Sequence, residues 1–271
     1  MLNKLIRLIK KYLLRLKEHD LSAWAAKLTF FILLSIFPFL IFLMEIIHRM
    51  HIQNTENLYE LTQFFPPEII RVFQLIIQDI SSAKTSSSLL SVAIIAAIWS
   101  ASRGVLAIIG GLNVAYKQQE TRSYIYLRAL SLIYTVAFAF IILMTLGLVV
   151  FGSRILQLLV TNIPVLVEMH FIIDLLRLLF SVVLSFLFFI MLYNATPNRK
   201  ITFKAVIPGS ILATISWTFV SFFFSLYVNV SKSLSYMYGS LAGVILLLLW
   251  LYSTSIIIML GGELNALLAE E

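Results

Sequence analysis

Charged residues are rare within or at the ends of the long apolar stretches of this 271-residue chain, and three of them, Lys27, Arg103 and Glu263, are predicted to lie toward the same side. A charge at the centre of a membrane helix costs about 2.5–3.5 kcal/mol on insertion scales, so such a side chain normally has a partner or faces water. Two cations and one carboxylate together suit an anionic headgroup or an ion. We predict that Glu263 lies near Lys27 or Arg103, and that Asn113 joins them in a candidate substrate site.

A second charged group consists of Glu45, Asp174 and Arg177. Asp174 and Arg177 are three residues apart, close enough on one helix to neutralise each other. Glu45, near the outer end of the first span, is predicted to lie on the same outer side of the membrane as Asp174 and Arg177. For both groups two interpretations stay open. Either the charges are paired or reach toward the headgroups so that an apolar environment tolerates them, or they form a headgroup or ion site.

Enzyme motifs are missing from the sequence. The chain has no Cys, which excludes disulfides, thiolate metal sites and cysteine nucleophiles. Its four histidines are scattered, and His48 and His51 form a weak metal pair without a third ligand. There is no phosphate-binding loop, no G-x-S-x-G and no zinc-finger spacing. We therefore expect no enzyme, no metal site and no cofactor.

The elements that position these charges are long apolar helices. Hydrophobic residues make up 61% of the chain, charged residues 12%, and the mean hydropathy is +0.98, which excludes a soluble globular protein. Six runs approach or exceed the roughly 20 residues that a membrane-crossing helix needs. The sequence predicts an all-α polytopic membrane protein with six transmembrane helices and amphipathic interfacial helices. The predicted spans are 24–47, 87–109, 131–153, 172–193, 205–228 and 238–262.

Basic residues are distributed by topology rather than over one soluble face. The net charge is +7, yet with these spans twelve Lys and Arg fall on the side of the N-terminus and five on the other. This bias predicts a multi-pass protein with both termini in the cytoplasm. It also argues against a nucleic-acid partner, and it leaves a homo-oligomer open.

Residues 1–23 are predicted to form a cytoplasmic basic amphipathic helix that precedes a single domain, 24–267, and a cytoplasmic tail, 268–271. Its apolar residues recur at helical spacing and its basic residues take the other side. We expect residues 2–17 to lie on the anionic inner leaflet; the alternative is that they only fix the orientation. The apolar positions are Leu2, Leu5, Ile6, Ile9, Leu13 and Leu16, and the basic ones Lys4, Arg7, Lys11 and Arg15.

The external stretch, about residues 49–86, is too long for a simple hairpin. Pro67 suits the first turn of a helix, and an apolar stripe continues from Ile69 to Ile80. This pattern predicts a helix that rests on the outer membrane surface or caps the bundle, with an inert surface helix as the alternative.

Proline and glycine mark points where the helices bend or pack closely. Pro38, and Pro208 followed by Gly209, lie inside predicted spans, where each proline removes a backbone donor, so we expect kinks or local openings. Glycines at 104, 110 and 111 weaken the end of the second span, which is expected to break and continue along the interface to Tyr116. Those near the last span favour close packing.

Several segments together resemble the YihY/virulence factor BrkB family of bacterial inner-membrane proteins, over nearly the whole chain. They are AKLTFFILLSIFP (26–38), WSASRG (99–104), GLNVAY (111–116), YNATP (193–197) with Pro208-Gly209 and Trp217, YGSLAG (238–243), LWLY (249–252) and GGELN (261–265). Gly262 stands where the family often has Ala. The resemblance implies a six-helix protein of the bacterial cytoplasmic membrane, in a family of which some members are linked to virulence or to envelope lipid traffic.

Two functional hypotheses follow. The first is a transporter or flippase-like protein for a lipid or lipid-linked envelope amphiphile, since scarce charge inside the spans suits a lipid better than a hydrated solute. The second is an ion-coupled exchanger with Glu45, Asp174 or Glu263 as the titrating carboxylate. A non-transporting scaffold of envelope biogenesis is the third option. The family's older name, ribonuclease BN, does not fit, because the water-exposed parts offer mainly Lys, Arg and Gln instead of an acid–base pair.

Overall fold

The computed structural model describes residues 2–49, 87–141, 170–230 and 241–270, and within these ranges the chain is all-helical with seven helices and no strand. The predicted all-α class is confirmed. The helices are α1 Leu2–Glu18, α2 Leu21–Arg49, α3 Ser87–Ala115, α4 from Tyr124 with described residues to Ile141, α5 His170–Ala195, α6 Phe203–Val230 and α7 Leu241–Leu268.

Four of these helices contain a stretch long and apolar enough to cross a membrane: Ile94–Ala115, Tyr124–Ile141, Phe203–Phe224 and Ala242–Leu268. Leu21–Ile36 and Leu179–Ala195 are shorter apolar helices in the described residues. Each of the six predicted spans therefore overlaps an apolar helix in the described residues, although the number of crossings stays a prediction. The largest difference in a boundary is at α4, which begins seven residues before the predicted span.

The main helices pack side by side and meet at one end of the bundle. Helix α2 packs most extensively on α3, and α7 packs on α6, α2 and α3. Leu28 and Gly104 are in contact range near mid-helix, whereas Trp24 faces Gly110, so α2 and α3 run antiparallel. We call the end where α2 and α6 begin and α3, α5 and α7 finish the basal end. Its core holds the fully buried Leu112, Leu192, Tyr193, Val206 and Met259.

The crossing of α6 and α7 at the basal end depends on two glycines. A Cβ added at Gly209 would overlap the carbonyl oxygen of Gly261, and one added at Gly261 would overlap the Tyr193 hydroxyl. Tyr193 donates to the Ile258 carbonyl at 2.9 Å, which holds α5 on the same crossing. Small residues thus let these backbones approach, as the glycine pattern predicts.

The helical backbone continues through both predicted bend sites. Pro38 lies inside α2 and Pro208 inside α6, and neither interrupts the helix. Helix α3 also runs unbroken through Gly104, Gly110 and Gly111 to Ala115, so the predicted break there is wrong. Packing supports the weak segment, because a Cβ added at Gly110 or Gly111 would overlap Trp24 or Met259, so the glycines let these side chains lie close to the α3 backbone. Most of the predicted external segment, 50–86, lies outside the described residues.

Candidate functional site

A buried carboxylate on α7 organises the basal end. The Glu263 side chain is fully buried, and Arg15 of α1, 3% exposed, approaches it with Nε 2.5 Å from Oε1. The other face of the same guanidinium donates to the Ala115 carbonyl at 2.5 Å. His19 places Nδ1 3.1 and 3.0 Å from the two carboxylate oxygens. Each charge in this group is therefore met by an opposite charge or a polar group.

The chain's last residues extend this group toward solvent. Glu270 lies 2.8 Å from Arg15 and 3.3 Å from both Lys11 and Lys117. Partial burial by itself would raise the pKa of Glu270, but the charged hydrogen bonds from Arg15, Lys11 and Lys117 outweigh it, so the pKa lies below its ordinary value. We call Arg15, His19, Glu263 and Glu270 the anchor cluster, because it fastens α1 to the end of α7.

A tyrosine adds a neutral contact to the anchor. Tyr12 donates its hydroxyl to the Leu260 carbonyl at 2.9 Å, one turn of α7 before Glu263. Burial, and then the nearby Glu263 charge, raise the pKa of Tyr12 above its usual range, so this hydroxyl stays protonated. Tyr12 and Arg15 are three residues apart and face the bundle together.

Glu263 forms its salt bridges with residues other than the predicted Lys27 and Arg103. Its salt bridges in the described chain come from Arg15 and His19, whereas Lys27 and Arg103 lie against aromatic rings. The turn at Asp20, where φ is 46°, separates α1 from α2, and α1 lies against the end of α7. Arg15 and His19, which follows the end of α1 directly, are four residues apart and reach the carboxylate from the same side. Arg15 therefore leaves the solvated basic face that the sequence pattern predicts for it.

Lys27 and Arg103, the cations that the sequence predicted beside Glu263, form a second group with aromatic neighbours. Lys27 Nζ lies 4.8 Å from the ring centre of Trp24, and Arg103 Cζ lies 5.8 Å from that of Phe31. Lys27 and Phe31 are four residues apart, so both cations border the same face of α2. Both side chains are exposed.

Arg128 of α4 extends this group across α3. Its guanidinium carbon lies 3.8 Å from the ring centre of Trp99, and its NH2 atom is 3.4 Å from the Trp99 carbonyl. Trp99 is one turn from Arg103 on α3. Arg128 is only 9% exposed, and its Nε has no hydrogen-bond partner. We call Lys27, Arg103 and Arg128 the cation row; none of them makes a salt bridge with an acidic side chain of the described chain.

An apolar groove opens on the other side of α2. It encloses about 310 Å³ between α2 and α7 and is open to the surroundings of the bundle. The buried bond from the Thr29 hydroxyl to Ser255, 3.0 Å long, joins the two helices beneath it. The groove is lined by Ala26, Thr29, Phe30, Leu33, Leu248, Leu249 and Tyr252.

Asn113 belongs to a hydrogen-bond network that joins two basal loops. Its Nδ2 donates to Glu120 at 2.8 Å, and its Oδ1 accepts from the backbone N–H of Asn198 at 2.8 Å. Glu120 also forms a forked pair with Arg122, at 2.7 Å for both bonds. The hydrogen bonds from Arg122 hold the pKa of Glu120 below its ordinary value. Both ends of the Asn113 amide are engaged here, and the structure does not bring Asn113 to the cation row.

Asn265 is a polar residue that sequence reasoning missed, although GGELN contains it. Its Oδ1 accepts from the Gly209 N–H at 2.6 Å, directly after Pro208, and the side chain is fully buried. Arg15, His19 and Arg128 were also not singled out as site residues. The available signal was the i, i+4 spacing of Arg15 and His19, together with a buried acid that needed a cation.

For the outer charged group, Glu45, Asp174 and Arg177, the structure describes the helical backbone alone. Glu45 lies in α2, and Asp174 and Arg177 lie in α5, but their side chains fall outside what the structure describes. Their pairing stays a prediction. Among the described residues, no three His, Asp or Glu side chains converge as a set of metal ligands.

Comparison with known proteins gives a consistent result over the chain. The family model described as Virulence factor BrkB matches residues 12–271. A protein of Bacillus subtilis named putative ribonuclease-like protein YfkH is 36% identical over 260 residues, covering 96% of this chain and 94% of that protein.

More distant relatives are named UPF0761 membrane proteins. One from Pseudoalteromonas translucida is 36% identical over 88 residues, covering 32% of this chain and 29% of its own. Another, from Citrobacter koseri, is 26% identical over 165 residues, covering 60% of this chain and 54% of that protein. No solved structure matches the chain.

Proposed function

This chain belongs to the Virulence factor BrkB family and is an integral membrane protein, and from that premise we propose that it binds an anionic membrane amphiphile and moves it between leaflets. The amphiphile is a lipid or a lipid-linked envelope precursor. The membrane is the bacterial cytoplasmic membrane, with the basal end and both termini on the cytoplasmic side.

The cation row is the observation that carries this proposal. Three cations stand beside aromatic rings, and none forms a salt bridge with a described acidic side chain. Arg128 also holds a buried, unpaired N–H. Cations in such an environment are costly unless an anion or water meets them. A phosphate headgroup supplies that charge and accepts several N–H bonds, which suits guanidinium groups especially.

The apolar groove suits the acyl chains of the proposed amphiphile. Its walls are almost entirely hydrocarbon, and it opens between helices that are apolar along their length. Around a membrane helix the surrounding solvent is lipid, so an acyl chain is the occupant that fits this groove. Helix α2 carries Lys27 toward α3 and lines the groove toward α7. One helix thus connects the proposed headgroup and chain contacts.

A reconstitution assay tests this function. Purified protein in liposomes is given fluorescent phosphatidylglycerol, and transfer between leaflets is followed by chemical quenching of the outer leaflet. We expect protein-dependent transfer, and Arg103→Ala is expected to lower it by roughly ten- to hundredfold, because a hydrogen bond to a charged group contributes about 1.5–3 kcal/mol. Lys200→Ala, an exposed cation in the loop after α5, is the matched control. Equal activity of both variants contradicts the proposal.

The alternatives give different results in the same vesicles. Glu263 contacts His19 and is fully buried, which is the arrangement that favours proton-coupled exchange. Transport that follows a pH or sodium gradient, without lipid transfer, selects that function. A scaffold gives neither. We do not propose ribonuclease activity or a nucleic-acid partner, because the word ribonuclease occurs only in the name of the Bacillus subtilis relative reported above.

Orientation is tested separately by cysteine labelling, since the chain has no native Cys. A cysteine at Arg199, exposed in the loop after α5, is expected to react only after the membrane is permeabilised. Labelling of intact cells from outside overturns the proposed cytoplasmic placement of the basal end.

A further inference from the structure

The anchor cluster divides the surface of α1 into three sides. The side that carries Tyr12, Arg15 and His19 is used for docking on α7 and α3. These residues are spaced by three and four positions, so they share one face. On its two further sides, most of the side chains that the structure describes are exposed.

The second side of α1 is apolar and exposed. Ile6, Ile9 and Leu13 are spaced by three and four residues, and 44%, 50% and 59% of their respective surfaces are exposed. Exposed apolar residues that form a contiguous stripe mark a contact surface. This stripe lies next to the docking side rather than opposite it, because α1 turns about 100° per residue.

The third side of α1 is basic and borders the apolar stripe, because Lys10 and Lys17 follow Ile6 and Leu13 by four residues, whereas Arg7 lies farther round the helix. Arg7, Lys10 and Lys17 are exposed, whereas the acidic residue of this helix, Glu18, lies at its end. Lys11 is different, because it pairs with Glu270 on the docking side. The outward charge of α1 is therefore positive along its length.

The position of α1 identifies the partner. Its docking contacts, Ala115, Leu260 and Glu263, lie near the ends of the candidate spans Ile94–Ala115 and Ala242–Leu268. Helix α1 therefore lies where these spans leave the apolar layer. At that level the bilayer offers acyl chains on one side and phosphate groups on the other, which matches the two free sides of α1.

We propose that α1 is a docked interfacial helix that binds an anionic leaflet, with Ile6, Ile9 and Leu13 among the lipid chains and Arg7, Lys10 and Lys17 on the lipid phosphates. Glu263 fixes the rotation of the helix by holding Arg15, so the apolar stripe points toward lipid. This inference does not depend on lipid transfer, and it stands if the proposed function fails.

Site-specific probes in the full chain test the rotation of α1. Single cysteines at Leu13 and, as the matched control, at the exposed Arg7 on another face of α1 are labelled with an environment-sensitive fluorophore and reconstituted in bilayers with phosphatidylglycerol. We expect the Leu13 probe to be blue-shifted, quenched by nitroxide lipid, and several-fold less accessible to aqueous iodide than the Arg7 probe. Equal iodide access at the two positions overturns the proposal.

Two further measurements separate lipid from protein contact. Replacing phosphatidylglycerol with phosphatidylcholine is expected to increase iodide access at Leu13, and Lys10→Gln with Lys17→Gln is expected to weaken that dependence on lipid charge. If the Leu13 probe is protected but nitroxide lipid does not quench it, and Leu13→Cys crosslinks two copies, the stripe is a protein interface and the proposal fails.

Discussion

The anchor cluster and the cation row contain the same kinds of side chain, yet they differ in how their charge is balanced. In the anchor cluster, Arg15 lies between Glu263 and Glu270, and the group is largely buried. In the cation row, Arg103 and Arg128 face aromatic rings and form no salt bridge within the described chain. Internal neutralisation suits a structural role, whereas the charge that the described chain leaves unbalanced is the basis of the proposed ligand contact.

The largest expected effect is the loss of the buried acid. Glu263→Leu leaves Arg15 buried beside a hydrocarbon side chain, and removal of one partner of a buried ion pair costs about 3–5 kcal/mol. We expect a large fall in the thermal midpoint of the purified protein in detergent. The control, Glu270→Gln, removes a partly exposed partner, for which about 0–1 kcal/mol is typical.

A double variant isolates the ion pair as the cause. Combining Arg15→Met with Glu263→Leu removes both charges and keeps apolar volume, which is often neutral for a buried pair. We expect the double variant to recover most of the lost stability. Equal destabilisation of the single and double variants means that packing, and not charge, explains the effect.

The second prediction compares a glycine near each group. Gly261 lies two residues before Glu263, where a Cβ meets the Tyr193 hydroxyl and the Gly209 carbonyl. Gly261→Ala is therefore expected to lose about 1–3 kcal/mol from overpacking. Gly104 follows Arg103, and its Cβ would meet nothing nearer than Leu28 at 3.5 Å. Gly104→Ala is expected to keep or raise stability, since Ala favours helix.

Unfolding of both variants in the same detergent checks this pair. A loss in Gly104→Ala as large as that in Gly261→Ala contradicts the difference in packing between the two regions.

The third prediction separates stability from function at the cation row. Arg103→Gln removes an exposed cation and its contact with Phe31, which contributes about 0.5–1 kcal/mol at most. We expect a nearly unchanged thermal midpoint together with reduced lipid transfer in vesicles. A stability loss comparable to that of Glu263→Leu shows instead that the row is structural, and the comparison then collapses.

Sequence patterns predicted the helices well because hydropathy is a local property. The all-α class and the apolar helix near every predicted span followed from run length alone. The identity of the cation that pairs with Glu263 did not follow from run length, because it depends on how α1 lies against α7 after the turn at Asp20. A helical pattern showed that α1 is amphipathic, but it gave no reason to assign Arg15 to the docking side.

The same limit explains Asn113 and Arg128. Asn113 is polar near the end of an apolar run, which resembles a ligand, yet its amide bonds the loop residues Glu120 and Asn198. Arg128 is one of the twelve basic residues that the sequence assigns to the side of the N-terminus, because the third span is predicted to begin at residue 131. Its stacking on Trp99 arises only from the packing of separate helices.

The smallest expected effect is a pH dependence that belongs to the anchor cluster alone. The pKa of Glu270 is held below its ordinary value of 4.5, because the hydrogen bonds from Arg15, Lys11 and Lys117 outweigh the effect of burial. A carboxyl with a lowered folded-state pKa stabilises the protein above its unfolded pKa, and that contribution is lost as pH falls through the folded value. The stability difference between the natural chain and Glu270→Gln should therefore be constant at neutral pH and shrink below pH 4.5.

Arg103→Gln serves as the control for this pH dependence, because no described carboxylate forms a salt bridge with Arg103. The stability difference between the natural chain and Arg103→Gln should stay level across this range. Thermal unfolding of the three proteins from neutral to acidic pH measures both trends. A difference for Glu270→Gln that grows as pH falls has the wrong sign for an ion pair and contradicts the role of Glu270 in holding α1.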